Sequence, residues 1–170
     1  MGMSGTVQGI FIAPEAEAPM QPQREVTAIA GMGLQGDRYA KGVGFYSPSP
    51  TTPGARELTL IAAEALAAAA AEAGMPFEPV ESRRNIITAG TDLKNLFGKR
   101  FSIGEVICEG VRDCPPCVHL DALTGKRIMP HLVWTGGLRA RIVTGGTISI
   151  GDSITEISDA EGPVHGRGGW

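Results

Sequence analysis

Hydrophobic and polar positions change over in short runs along this chain, and most runs have the length and β-branched content of strands. Residues 6–12 (TVQGIFI) and 25–29 (EVTAI) predict two strands, with the Pro- and Glu-containing loop 13–23 between them. Residues 58–61 predict a short strand that feeds 62–73, where Ala dominates and helix propensity is the highest in the chain; Gly74 and Pro76 end that helix. Its small side chains predict a helix lying flat on a sheet through its Ala face. Residues 86–88 predict a further strand, and residues 92–97 one helical turn with Asp92 near its N-cap and Gly98 at its stop.

Two later segments, 101–109 and 148–156, resemble each other: strand, Gly-acid turn (Gly104-Glu105 and Gly151-Asp152), strand. Alternation on both sides of each turn half-buries the arms, so the pair predicts two hairpins. Residues 136–143 predict another strand, parted from the second hairpin by Gly145-Gly146. The sum is a mainly β fold, a barrel or sandwich with a few short helices, in one domain over 1–160 followed by a Gly-rich tail, 161–170.

Composition sharpens this picture. With 24 Gly and 12 Pro in 170 residues, elements must be short, which excludes a long helical bundle, and 42% hydrophobic residues suffice for a core without disulfides. Fifteen basic against 18 acidic residues leave a net charge of −3, which argues against nucleic acid as a partner. Neither end reads as an export signal and no apolar run has the length of a membrane span, so the expectation is a cytoplasmic protein with no membrane partner. Three cysteines in such a chain are thiols with a chemical or packing role rather than bridges.

The strongest chemical feature is Cys114-Pro115-Pro116-Cys117, preceded by Arg112 and Asp113 and followed by His119. Three readings are open. A zinc site would draw on Cys108 and His119 as further ligands, but lacks a second C-x-x-C pair. A dithiol redox centre would place one thiol at a helix N-terminus, but the flanking βαβ pattern is missing. A single reactive thiolate at Cys117, with the prolines fixing the backbone and 118–123 opening a short helix, suits a soft metal or a persulfide. Against all three stands the reading of cysteines as small buried hydrophobes, preferred for Cys108 inside its apolar strand. His119 and His131 are ambiguous, although His119 lies close enough to Cys117 to influence its ionisation.

A second feature combines Gly36-Asp37-Arg38-Tyr39, within a stretch (31–44) holding five glycines, with Arg83-Arg84-Asn85. Guanidinium forks and an amide suit an anionic ligand. An internal ion pair between Asp37 and an arginine accounts for the same residues equally well.

In order along the chain, Gly36-Asp37-Arg38-Tyr39, Leu58-Thr59-Leu60-Ile61, Arg83-Arg84-Asn85-Ile86, Cys114-Pro115-Pro116-Cys117 and Gly136-Gly137 through Gly151-Asp152 resemble the MOSC domain family, named after the C-terminal domain of molybdenum-cofactor sulfurase, over about residues 5–157. The resemblance implies a MOSC-type β-barrel. It implies that Cys117 carries sulfur as a persulfide or ligates molybdenum of the pterin cofactor, and that Arg38, Arg84 and Asn85 hold the pterin phosphate. It further implies a molybdenum-dependent oxidoreductase acting on N-hydroxylated small molecules, or a sulfur-transfer protein, served by a separate electron-transfer or sulfur-donor protein. The sequence departs from larger relatives in having no MOSC-associated N-terminal domain and no ferredoxin-like cysteine set. Nor does 170 residues leave room for the sulfurase's pyridoxal-phosphate domain, so pyridoxal phosphate is not expected. The alternatives from other classes are a non-catalytic module that binds or delivers an anionic cofactor, and a zinc-stabilised structural protein.

Overall fold

A computed structural model describes residues 4–44, 47, 53–114, 125 and 137–157. The chain forms strands β1 (Gly5–Ile12), β2 (Gln21–Gln23), β3 (Glu25–Ile29), β4 (Gly33–Leu34) and β5 (Leu58–Ala62), helix α1 (Ala63–Ala73), and strands β6 (Ile86–Ala89), β7 (Arg100–Ile103), β8 (Val106–Asp113), β9 (Leu138–Thr144), β10 (Gly146–Ser149) and β11 (Ser153–Glu156). Short 3-10 turns occupy Pro79–Ser82 and Leu93–Leu96. The main sheet runs β11-β7-β8-β9-β5-β6-β1-β2, and a second pairing of β1 with β11 closes seven of these strands into a barrel. Closure leaves those strands without a free edge. A smaller sheet, β10-β3-β4, packs against it.

Alternation along the strands decides which residues fill the barrel. Leu58, Leu60, Ile86, Phe101, Ile103, Val106 and Ile154 face inward and are fully buried, together with Leu34 from the smaller sheet. Each such side chain contributes roughly 1.5–3 kcal/mol by leaving water. The parallel pair β5 and β6 needs a crossover, and α1 supplies it. As its composition predicts, α1 lies against the outside of these strands: Leu66 and Ala69 pack with Ile61, Ile87 and Phe77 in a second, smaller cluster. Gly74 ends the helix with φ 67°, its N–H turned back to the carbonyls of Ala70 and Ala71. Asp92 caps the 3-10 turn by accepting from the N–H of Lys94 at 3.1 Å.

The expected strands appear within a residue or two of their predicted limits, except that β8 runs four residues past the predicted end at 109, while β2 and β4 form inside stretches that read as loops. The first predicted hairpin is present as β7–β8. The second is not a hairpin: β10 pairs with β3 in the smaller sheet, whereas β11 pairs with β7 and β1 in the barrel. At the Gly151-Asp152 turn the N–H of Gly151 donates to Val7 O and the N–H of Val7 to Asp152 O. The Asp152 side chain also accepts from the N–H of Ser149. The turn is thus bound to β1, and its arms separate between two sheets.

Candidate functional site

The Cys117 segment leaves the barrel at the end of β8 and returns at the start of β9. Asp113 stands opposite Leu138, and beyond this pair the N–H of Cys114 donates to Gly137 O at 2.8 Å. Both ends of the segment are therefore fastened at one point of the barrel rim. Gly137 is required there: its φ is +117°, and a Cβ would strike the Leu60 carbonyl oxygen on β5. Cys114 itself is fully buried. From the start of β6, Arg84 donates through Nη2 to the Cys114 carbonyl oxygen at 2.9 Å. Two of the predicted elements, the arginine pair and the first thiol, thus meet in space although 30 residues separate them. Cys117, Pro115, Pro116, His119, His131, the predicted helix 118–123 and the tail 161–170 lie outside the described residues.

Asp37 and Arg38 form an internal ion pair, Nη1 to Oδ1 at 3.0 Å, with the carboxylate almost wholly buried. Asp37 also accepts from the backbone N–H of Ala13 at 3.1 Å and of Tyr39 at 3.3 Å. The Arg38 guanidinium reaches the Met20 sulfur and stacks 4.8 Å from the Tyr39 ring centroid. Of the two readings open for this motif, the structure displays the ion pair. Asn85 is buried and joins three strands: its Nδ2 donates to Phe11 O, and its Oδ1 accepts from both the N–H and the hydroxyl of Thr59. Its side chain thereby fastens the start of β6 to β1 and β5.

Arg83 is the residue that sequence reasoning passed over when it selected Arg84 and Asn85. It ends the 3-10 turn in the left-handed region, φ 59°, which sends the two neighbouring arginines to different places. Arg83 donates to Ala18 O at 2.8 Å, and burial together with the positive charge of Arg38 lowers its pKa. Two guanidiniums, Arg38 and Arg83, are therefore crowded together in a partly desolvated setting. Nothing in the local sequence signals this, because it arises from one residue's backbone conformation.

A cavity of about 560 Å³ opens between the N-terminal turn of α1, the 3-10 turn at Leu93–Leu96 and the base of the Cys117 segment. Its walls are apolar at Ala62, Ala65, Leu93 and Leu138, while Asp113 and Lys94 add charge. That combination suits a small organic molecule held by an apolar body and oriented by a few polar groups.

Cys108 is fully buried in the barrel, opposite Phe101, and its thiol pKa is raised strongly by desolvation and further by the nearby Glu57 carboxylate. It is the core residue its strand pattern predicts. The position also removes it from the zinc set. Cys108 and Cys114 are six positions apart along one extended run, about 20 Å at strand rise, and three further residues reach at most about 11 Å. Cys108 cannot meet Cys114 or Cys117 on one ion. Among the described residues no group of three His, Cys, Asp or Glu is placed to hold a metal.

A closed barrel that fastens both ends of one segment at its rim, with Arg84 on the Cys114 carbonyl and an apolar cavity lined in part by Asp113 and Gly137, defines the architecture of a small β-barrel domain. The model of the MOSC domain matches residues 41–155, more than half of the chain, and the protein belongs to this family. Among solved structures it is similar in fold to the YuaD protein from Bacillus subtilis (18% identity, TM-score 0.76, covering 91% of this chain and 96% of that one). It is likewise similar to YiiM from Geobacillus stearothermophilus (13%, TM-score 0.69, 91% and 75%) and YiiM from Escherichia coli (19%, TM-score 0.60, 93% and 70%). No curated protein matches the chain. No helix among the described residues is long and apolar enough to cross a membrane.

Proposed function

We propose that this MOSC domain binds the molybdenum cofactor, or carries sulfur, through the Cys117 thiolate, and acts on a small organic molecule seated in the rim cavity. The observation that carries this reading is the hydrogen bond from Arg84 to the Cys114 carbonyl. It brings a guanidinium to Cys114, three residues before Cys117 in the chain, and this supports a reading in which a soft ligand works beside a cationic anion-binding group. The grouping of Arg38 and Arg83 supports an anionic cofactor as well, since a phosphate nearby would add to the carboxylates of Asp37 and Glu17 that already act on these guanidiniums.

In this arrangement Cys117 is the metal ligand or sulfur acceptor, and the thiolate form is the reactive one. Arg84 is the direct donor to the cofactor's phosphate. Arg38 and Arg83 add positive field, and Asn85 holds the strand from which Arg84 projects. When bound, the cofactor supplies a two-electron redox centre, and reduction of an N-hydroxylated compound would draw its electrons from a separate donor protein. Asp113 and Lys94 orient the substrate in the cavity, and Leu93 and Leu138 exclude water from its apolar part.

The test is elemental analysis with intact-mass measurement on protein from a cofactor-competent host, before and after thiol reduction, for wild type and Cys117→Ser. Stoichiometric molybdenum, or one reducible added sulfur, should accompany the wild type and disappear in the variant. Wild-type protein carrying neither would overturn the proposal.

A further inference from the structure

The outer wall of the barrel carries two rows of charge across β8 and β9, and they are built differently. In the first row, Arg100, Glu109 and Arg141 stand side by side in register. Glu109 lies 2.6 Å from Arg141 Nε and 3.6 Å from Arg100 Nε. Glu57 adds a second carboxylate beside Arg141 and accepts from the N–H of Ile142. Acids and bases are matched.

In the next row Arg112 stands directly opposite Arg139. A β-bulge between Gly110 and Arg112 creates this pairing: Gly110 faces Ala140, and the extra residue brings Arg112 rather than Val111 level with Arg139. Bulges re-aim side chains in this way. Among the described residues neither arginine has an ion-pair partner. Arg139 donates one N–H to Ala55 O at 3.2 Å, which leaves most of its five donors available. Asp113, the nearest acid in sequence, alternates to the other side and lines the rim cavity. Like charges directly opposed across two strands are destabilising, and both residues are only partly exposed in a protein of net charge −3.

We propose that Arg112 and Arg139 form a binding site for a phosphate-type oxyanion on the outer barrel wall, one that draws its donors from neither Arg38, Arg83 nor Arg84. Two arginines on directly opposed residues supply guanidinium donors suited to the oxygens of a tetrahedral dianion, which would offset their like charge with charge-assisted hydrogen bonds. The ligand is inorganic phosphate or the phosphoryl group of a small phosphorylated molecule.

Calorimetric titration at low ionic strength with inorganic phosphate, and separately with phenyl phosphate, tests the proposal on wild type, Arg112→Gln, Arg139→Gln and, as a control in an exposed turn outside both arginine groups, Arg24→Gln. Saturable binding to the wild type is expected, weakened at least tenfold by either of the first two substitutions and not by the third. Tighter binding of phenyl phosphate identifies a phosphorylated organic ligand; equal binding identifies the free ion. In the absence of anion, Arg112→Gln should melt at or above the wild-type temperature, because a repulsion has been removed. Arg112→Lys retains charge without the fork and should bind at an intermediate level, a check that stands if the Gln variant folds poorly. No saturable binding to wild type, or binding left intact by both Arg112→Gln and Arg139→Gln, would overturn the site.

Discussion

Replacing Asp37 by Asn tests how the glycine-rich approach to the barrel is held. The carboxylate is almost wholly buried and accepts from Arg38 Nη1, Ala13 N–H and Tyr39 N–H at 3.0, 3.1 and 3.3 Å. Asparagine keeps the shape but loses the charge, and one of its two terminal positions becomes a donor facing a donor. Arg38 would then lie buried beside Arg83 with no nearby carboxylate from this segment. Removing one partner of a buried pair costs about 3–5 kcal/mol, because the surviving charge keeps its desolvation penalty. For a chain of this length, about 2–4 °C of melting temperature accompanies each kcal/mol, so the expected loss is roughly 6–20 °C. Urea denaturation gives the free energy directly. A double-mutant cycle with Arg38→Met identifies the cause: the combined variant should recover part of the loss, since it no longer buries a lone cation. An Asp37→Asn protein within about 1 kcal/mol of wild type, with no coupling to Arg38→Met, would refute the argument that this pair holds the segment.

Two further expectations concern titration and reactivity. Burial raises the Glu57 pKa in the folded state above 4.5 despite the Ile142 hydrogen bond and the Arg141 charge, so between 4.5 and the folded-state value the native protein binds a proton the unfolded chain has lost. Stability should therefore fall as pH rises through that window; Glu57→Gln, which keeps an acceptor for Ile142, should flatten this slope in urea titrations at a series of pH values, and an unchanged slope would refute it. Brief iodoacetamide treatment of native protein, read by peptide mass spectrometry, should label Cys117 and spare Cys108 and Cys114, both fully buried, until urea is added. Native labelling of Cys108 would contradict its place in the barrel.

Much of the fold is legible in the residues because local forces decide it. The strand runs, the Ala-rich helix ended by Gly74, the Asp92 cap and the burial of Cys108 all follow from periodicity and short-range hydrogen bonding. Membership of the MOSC family is legible as well, in motifs spread along the chain. What local pattern cannot decide is partner choice. Segments 101–109 and 148–156 carry nearly the same alternation, yet one closes as the hairpin β7–β8 and the other divides between two sheets, because backbone groups of β1 bind the second turn. The tertiary structure also decides what the arginines do. Arg38 enters an ion pair, Arg83 turns away from Arg84 at a left-handed residue, and Arg84 crosses to the carbonyl of Cys114. A single bulge then sets Arg112 against Arg139. The pattern of apolar positions determined a mainly β fold with half-buried strands, and the family resemblance pointed to the barrel. Only closure of the sheet, which brings distant strand ends to one rim and sets the register between neighbours, decided which charged groups meet there.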